Sequence, residues 1–189
     1  MRIVGGTHRG RMLAAPRNHA VRPTSDKVRE AMFNILMHSV AELEVDGSYV
    51  LDLFAGTGAL GLEALSRGAA FCVFVESAAP SRALIQENTT NLGFGGATRI
   101  FRRDATKLGP FMQAHPFNLV FVDPPYGKGL AIRALTSAIE GEWLANHALV
   151  VLEEHAAEDV ELPAAMTRMD HRVYGETQII VAQYTFGLS

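Results

Sequence analysis

The stretch VLDLFAGTGALG, residues 50–61, sets the architecture of the chain. It opens as an apolar run broken only by Asp52, the pattern of a strand buried on both faces. Gly56, Gly58 and Gly61 then follow in a GxGxxG arrangement at the mouth of a helix. Strand, glycine turn and helix in this order let the backbone approach a ligand closely, and the free N–H groups at the helix start favour an anionic or polar group.

Beyond this stretch the chain alternates. Strands are predicted near 48–53, 71–76, 98–102, 117–122 and 147–153, and helices near 59–67, 78–92, 106–113 and 128–140. FCVFVE, and NLVFVD after its Asn118, run continuously apolar up to their terminal acids, as parallel strands covered on both faces do. Such alternation predicts an α/β, Rossmann-like sheet, mostly parallel, with right-handed crossovers. At the end, 167–174 and 177–184 are separated only by Gly175 and Glu176. That gap is too short for a crossover, so an antiparallel hairpin at the sheet edge is expected.

Before the sheet, residues 2–15 read as short extended pieces around Gly5, Gly6 and Gly10. Val28, Met32, Ile35 and Leu36 then fall at helical spacing, and Thr24, Ser25 or Asp26 can cap a helix from about 25 to 40. Residues 1–45 are therefore expected as a small N-terminal extension and 46–189 as the main domain.

A chain of 189 residues, 48% hydrophobic, suits one core with a small appendage. The single cysteine, Cys72, lies in an apolar run and is expected buried; with no disulfide framework, a reducing compartment fits. Neither an export signal nor a membrane span is visible, so a soluble, cytoplasmic protein is expected. The histidines lack metal-ligand spacing, and no metal is expected. Net charge is only −3, yet residues 1–30 hold seven basic groups against Asp26 and Glu30. A segment so polarised on an otherwise acidic body is a candidate phosphate-facing surface.

Glu76 ends the second strand about twenty residues beyond the glycine turn, where a carboxylate can accept hydrogen bonds from ribose hydroxyls. Asp52 and Asp104 end the first and third strands on the same rim, although Asp52 can equally cap the glycine turn. Glycine loop and ribose acid serve NAD and S-adenosylmethionine alike. The fourth strand separates them. Asp123, Pro124, Pro125 and Tyr126 follow it directly, and two successive prolines make a rigid, acceptor-lined corner. An amino group on an aromatic base is a poor nucleophile because its lone pair is delocalised. If the Asp123 carboxylate and the Pro124 carbonyl each accept one N–H, the nitrogen can pyramidalise and direct its lone pair at a sulfonium methyl. Tyr126 offers a face on which an extruded base can stack.

These residues resemble the class I S-adenosylmethionine methyltransferases that act on amino groups. The order MRIVGGTHRGR, RPTSDKVREAMFNIL, VLDLFAGTGALGLEALSRGA, Glu76, the pair Asp104–Ala105 and DPPY is further similar to the RsmD family, bacterial small-subunit rRNA guanine-N2 methyltransferases. The resemblance implies S-adenosylmethionine as donor and a guanine of 16S rRNA, in an assembled or assembling small subunit, as acceptor. By position, Gly56, Gly58 and Glu76 would hold the cofactor, Asp104 with Ala105 would meet its adenine, and Asp123 with Tyr126 would address the guanine. Arg9, Arg11, Arg22 and Arg29 would face RNA or the cofactor mouth. A monomer is expected.

The main rival is a DNA or RNA amino-methyltransferase acting on adenine N6 or cytosine N4, which shares the four-residue corner but in the DNA enzymes generally carries an extra target-recognition region. An NAD-dependent oxidoreductase would leave Asp-Pro-Pro-Tyr without a role. A catalytically silent RNA-binding module would need neither the loop nor the corner.

Overall fold

The computed structural model describes residues 1–16, 25–38, 45–112 and 114–187. Its elements, in chain order, are α1 (Asp26–His38), β1 (Tyr49–Leu53), α2 (Ala59–Ser66), β2 (Phe71–Val75), α3 (Ala79–Asn91), β3 (Thr98–Phe101), β4 (Phe117–Val122), α4 (Leu130–Glu140), β5 (Leu144–His155), β6 (Met166–Tyr174) and β7 (Thr177–Tyr184). The seven strands form one sheet in the order β3-β2-β1-β4-β5-β7-β6. From β3 to β5 all neighbours are parallel; β7 runs antiparallel to both β5 and β6, which makes β6 the edge.

Strand alternation divides the core into two layers. Val50, Cys72, Phe74, Leu119, Phe121, Val151 and Ile179 point to one face, where they meet α1, α2 and α3. Leu51, Val73, Val120, Val122, Val150 and Ile180 point to the other, against α4 and Trp143. Both faces being covered is the reason these strands are continuously apolar.

The N-terminal residues join the first layer, since Ile3 and Leu13 are buried with Phe33 and Leu36 of α1 beside Val50 and Phe121. Arg2 and Met12 form an antiparallel bridge, closed by Ile3 N–H donating to Arg11 O at 2.9 Å and Gly10 N–H to Ile3 O at 2.8 Å. The turn docks on α2. Thr7 N–H donates to Ser66 O at 2.7 Å, and Val4 N–H to the Glu63 carboxylate at 2.8 Å.

Two expectations are corrected. The helix near 106–113 is only a 3₁₀ turn, Ala105–Lys107. Gly109 takes φ +68 and Pro110 has no N–H to give, so a helix stops there. Tertiary bonds take over: Leu108 N–H donates to Ser137 Oγ at 2.8 Å, and Trp143 Nε1 to Gly109 O at 2.8 Å. The strand near 147–153 begins earlier, at Leu144. It pairs with β4 only with a register shift between Phe117 and Leu119, and His147 adopts φ +64 inside that irregularity.

Candidate active site

The carboxyl ends of β1, β2, β3 and β4 lie side by side, because Leu53 pairs with Val75 and Val122, and Val75 with Phe101. Every loop that leaves these ends therefore opens on one rim.

The three glycines of the first loop do different work. A Cβ on Gly56 would find nothing nearer than Phe54 O at 3.9 Å, so this is where the backbone is bare toward open space. At Gly58 it would meet Phe74 Cε1 at 3.2 Å, and at Gly61 Cys72 Sγ and Phe74 Cε1, both at 2.5 Å. Gly61 is thus the glycine that lets α2 lie on β2, while Gly58, in the left-handed region at φ +78, starts α2 against the Phe74 ring. Phe54 is left-handed as well, at φ +62, so strain gathers at the exit of β1.

Glu76 clamps this loop. One carboxylate oxygen accepts from Gly56 N–H at 2.9 Å and the other from Ala78 N–H at 2.7 Å. Each oxygen keeps a lone pair, and the side chain is half-buried at the mouth of the loop. Asp52 takes the alternative role that its sequence position left open. It is buried beneath the loop rather than on the rim, and accepts from Gly61 N–H at 3.0 Å. Burial, against the pull of that N–H and with the Glu76 charge adding, raises its carboxyl to about 7.

On the next strand end, Asp104 is exposed and caps the 3₁₀ turn, its Oδ1 accepting from Thr106 N–H at 2.9 Å and Thr106 Oγ1 at 2.8 Å. Those bonds hold its carboxyl below the ordinary value. Ala105 is buried behind it.

After β4, Asp123 is half-buried, Pro124 buried and Pro125 exposed. Tyr126 is fixed at its far end: its hydroxyl donates to Glu153 Oε1 at 2.5 Å and lies 3.2 Å from Thr177 Oγ1. Burial, then the Glu153 carboxylate, push the phenol well above its ordinary range, so it remains a donor. Gly127 N–H donates to Glu154 Oε1 at 3.3 Å. Glu153 and Thr177 escape sequence reasoning because no motif contains them; they reach the site only through β5 and β7.

The basic segment splits. Arg9 and Arg11 are exposed on the N-terminal turn, and Arg11 Nη2 donates to Asn91 O at 3.2 Å. Arg22 lies outside the described residues. Arg29, expected to face RNA or the cofactor mouth, is corrected: it is completely buried, paired with Asp26 at 2.8 Å and Glu63 at 3.6 Å, and donates to Arg2 O. Its charge is consumed inside the protein. Asn88, unremarkable in sequence, ties the turn to the glycine loop, accepting from Ala14 N–H at 2.7 Å and donating to Ala14 O at 3.1 Å and Thr57 O at 3.0 Å.

Residues 1–183 match the model of the family described as conserved hypothetical protein 95. The chain is 36% identical over 179 residues to ribosomal RNA small subunit methyltransferase D of Escherichia coli, covering 93% of this chain and 86% of that one. It is 34% identical over 188 residues to the putative rRNA methyltransferase YlbH of Bacillus subtilis, with 96% and 97% covered. The solved structure of the putative methyltransferase yhhF from Escherichia coli superposes with a TM-score of 0.83 at 34% identity and covers 98% of both chains. The sheet is that of a class I methyltransferase, and the chain belongs to the RsmD family of small-subunit rRNA methyltransferases.

Proposed function

We propose that this protein transfers a methyl group from S-adenosylmethionine to the exocyclic N2 amino group of a guanine in 16S rRNA, within an assembled or assembling small subunit in the cytoplasm. The observation that carries the proposal is the Asp123–Tyr126 corner at the carboxyl end of β4, beside the glycine loop of β1. Residues 1–45 serve in this reading as an RNA-facing extension of the catalytic domain at 46–189. The relatives named for small-subunit rRNA methylation support the substrate class.

The loop fits the cofactor. Backbone at Gly56 is open, the clamped Glu76 carboxylate has lone pairs for two ribose hydroxyls, and Asp104 retains Oδ2 for an adenine amino group. S-adenosylmethionine supplies, when bound, an electrophilic methyl on a sulfonium with a neutral thioether as leaving group. Asp123 and the Pro124 carbonyl then act as acceptors for the two N–H groups of the base, so that nitrogen turns its lone pair out of the ring plane. The proton released from nitrogen passes to the Asp123 carboxylate or onward to water. Tyr126 stacks on the base and holds it in register. Arg9, Arg11 and Arg22 meet RNA phosphates.

The test is methyl transfer from labelled cofactor to small-subunit particles from a strain lacking the gene, followed by nucleoside analysis. N2-methylguanosine is expected. Methyladenosine or methylcytidine would replace the guanine reading, and no transfer would remove it.

A further inference from the structure

We infer that Glu153 is a positioning residue for base methylation, acting through the Tyr126 hydroxyl to fix the plane on which the target base stacks. The inference rests on the function proposed above. Its starting point is an asymmetry in the loop after β4. Pro124 and Pro125 restrain the corner, but beyond Tyr126 the chain passes through Gly127 at φ +71 and Gly129 at φ +59, the residues with the widest backbone freedom. Beyond the prolines the backbone is tied at Gly127, whose N–H donates to Glu154 Oε1 at 3.3 Å, which leaves the plane of the Tyr126 ring to its side-chain contacts.

The ring is held instead at its hydroxyl. Glu153 is buried, lies on β5, and pairs there with Ile179 of β7, so it is anchored within the sheet. Thr177, which pairs with His155, brings a second oxygen to the same hydroxyl. His155 meets the ring edge-on, with centroids 6.0 Å apart and planes at 68°. Here the hydroxyl is turned inward onto a charged acceptor, the stronger kind of hydrogen bond, while the ring stays half exposed on the rim. Proline restraint at one end and a charge-assisted bond at the other leave the ring little rotation.

Single-turnover methyl transfer to small-subunit particles, at saturating cofactor, tests this with Glu153→Ala, Glu153→Gln, Tyr126→Phe and the Glu153→Ala/Tyr126→Phe pair. Glu153→Ala and Tyr126→Phe should each slow transfer by roughly tenfold, and the pair no more than either alone, because both remove one bond. Glu153→Gln, which keeps an acceptor, should restore most of the rate. Cofactor affinity by calorimetry, at a temperature where every variant is folded, should stay near that of the parent in all four. Multiplicative losses in the pair, a parent-like rate in Glu153→Ala, or cofactor affinity falling in step with rate would each overturn the inference. If the parent protein itself transferred nothing, the proposed function would fall and this inference with it; multiplicative losses in an active parent would remove this inference alone.

Discussion

The two halves of the rim are held by different means. On the side proposed for the cofactor, backbone N–H groups of the glycine loop, of α2 and of the residue before α3 are clamped by carboxylates, Glu76 on Gly56 and Ala78, and Asp52 on Gly61. On the side proposed for the base, the corner after β4 rests on prolines, on Gly127 N–H donating to Glu154, and on one phenol hydroxyl reaching Glu153. The first half is preorganised by main-chain geometry that the local sequence dictates. The second depends on side chains delivered from two later strands, and in the proposed reaction it is the half that admits and releases the large substrate.

Within the glycine loop, folding and binding can be pulled apart. Gly61→Val would drive a side chain into Cys72 and Phe74, with Cβ distances of 2.5 Å, and should cost about 3 kcal/mol of folding stability in denaturant titration. Gly56→Val meets no such neighbour. It should cost less, about 1–2 kcal/mol for the left-handed backbone, yet abolish cofactor binding. Equal losses of stability would mean that the open face at Gly56 has been misassigned.

Asp52→Asn comes next. Burial holds the folded-state carboxyl at about 7 against an ordinary 3.8, so the folded protein binds a proton that the unfolded chain has released in this window. The stability this group contributes is complete below its unfolded value and is lost as pH climbs through its folded one. Asparagine keeps an acceptor for Gly61 N–H without titrating. The variant should therefore gain on the parent by a few kcal/mol, on the order of the full shift, between acid and about pH 8. Parallel stability curves would contradict a buried, raised carboxyl.

Glu76→Ala should weaken cofactor affinity by about 1–3 kcal/mol in calorimetry, through lost charge-assisted bonds and a loosened loop. The smallest expected effect concerns RNA grip: changing Arg9 and Arg11 to Ala should leave cofactor affinity intact and lower the slope of log affinity against log salt by about 1 for each phosphate that is no longer neutralised. A salt slope identical to the parent would take the N-terminal turn out of the RNA interface.

Legibility in the sequence follows the same division. Parallel strands covered on both faces are mainly apolar, so β2 and β4 stand out as FCVFV and FNLVFV, with only Asn118 interrupting, and GxGxxG with Glu76 marks the side proposed for the cofactor because each partner is local to a strand end. The absence of a helix after β3 is legible too, once Gly109-Pro110 is weighed above the apolar spacing around it. Arg29 is not, because charge counted along the chain cannot distinguish a solvated arginine from one buried against Glu63 on another helix. The hold on Tyr126 is the least legible, since it joins residues 27 and 51 positions apart through a strand order that no motif encodes.

If one half of the rim binds the cofactor and the other acts on the base, a single substitution on the base side should separate the two. Asp123→Ala is that substitution, followed by cofactor calorimetry and single-turnover transfer on the same preparation. In the proposed reaction Asp123 is an acceptor that matters most as the amino nitrogen gains positive charge, so transfer should slow by roughly a hundredfold, about 2.7 kcal/mol, with cofactor affinity unchanged. Affinity for the cofactor falling by the same factor as the rate would contradict the division.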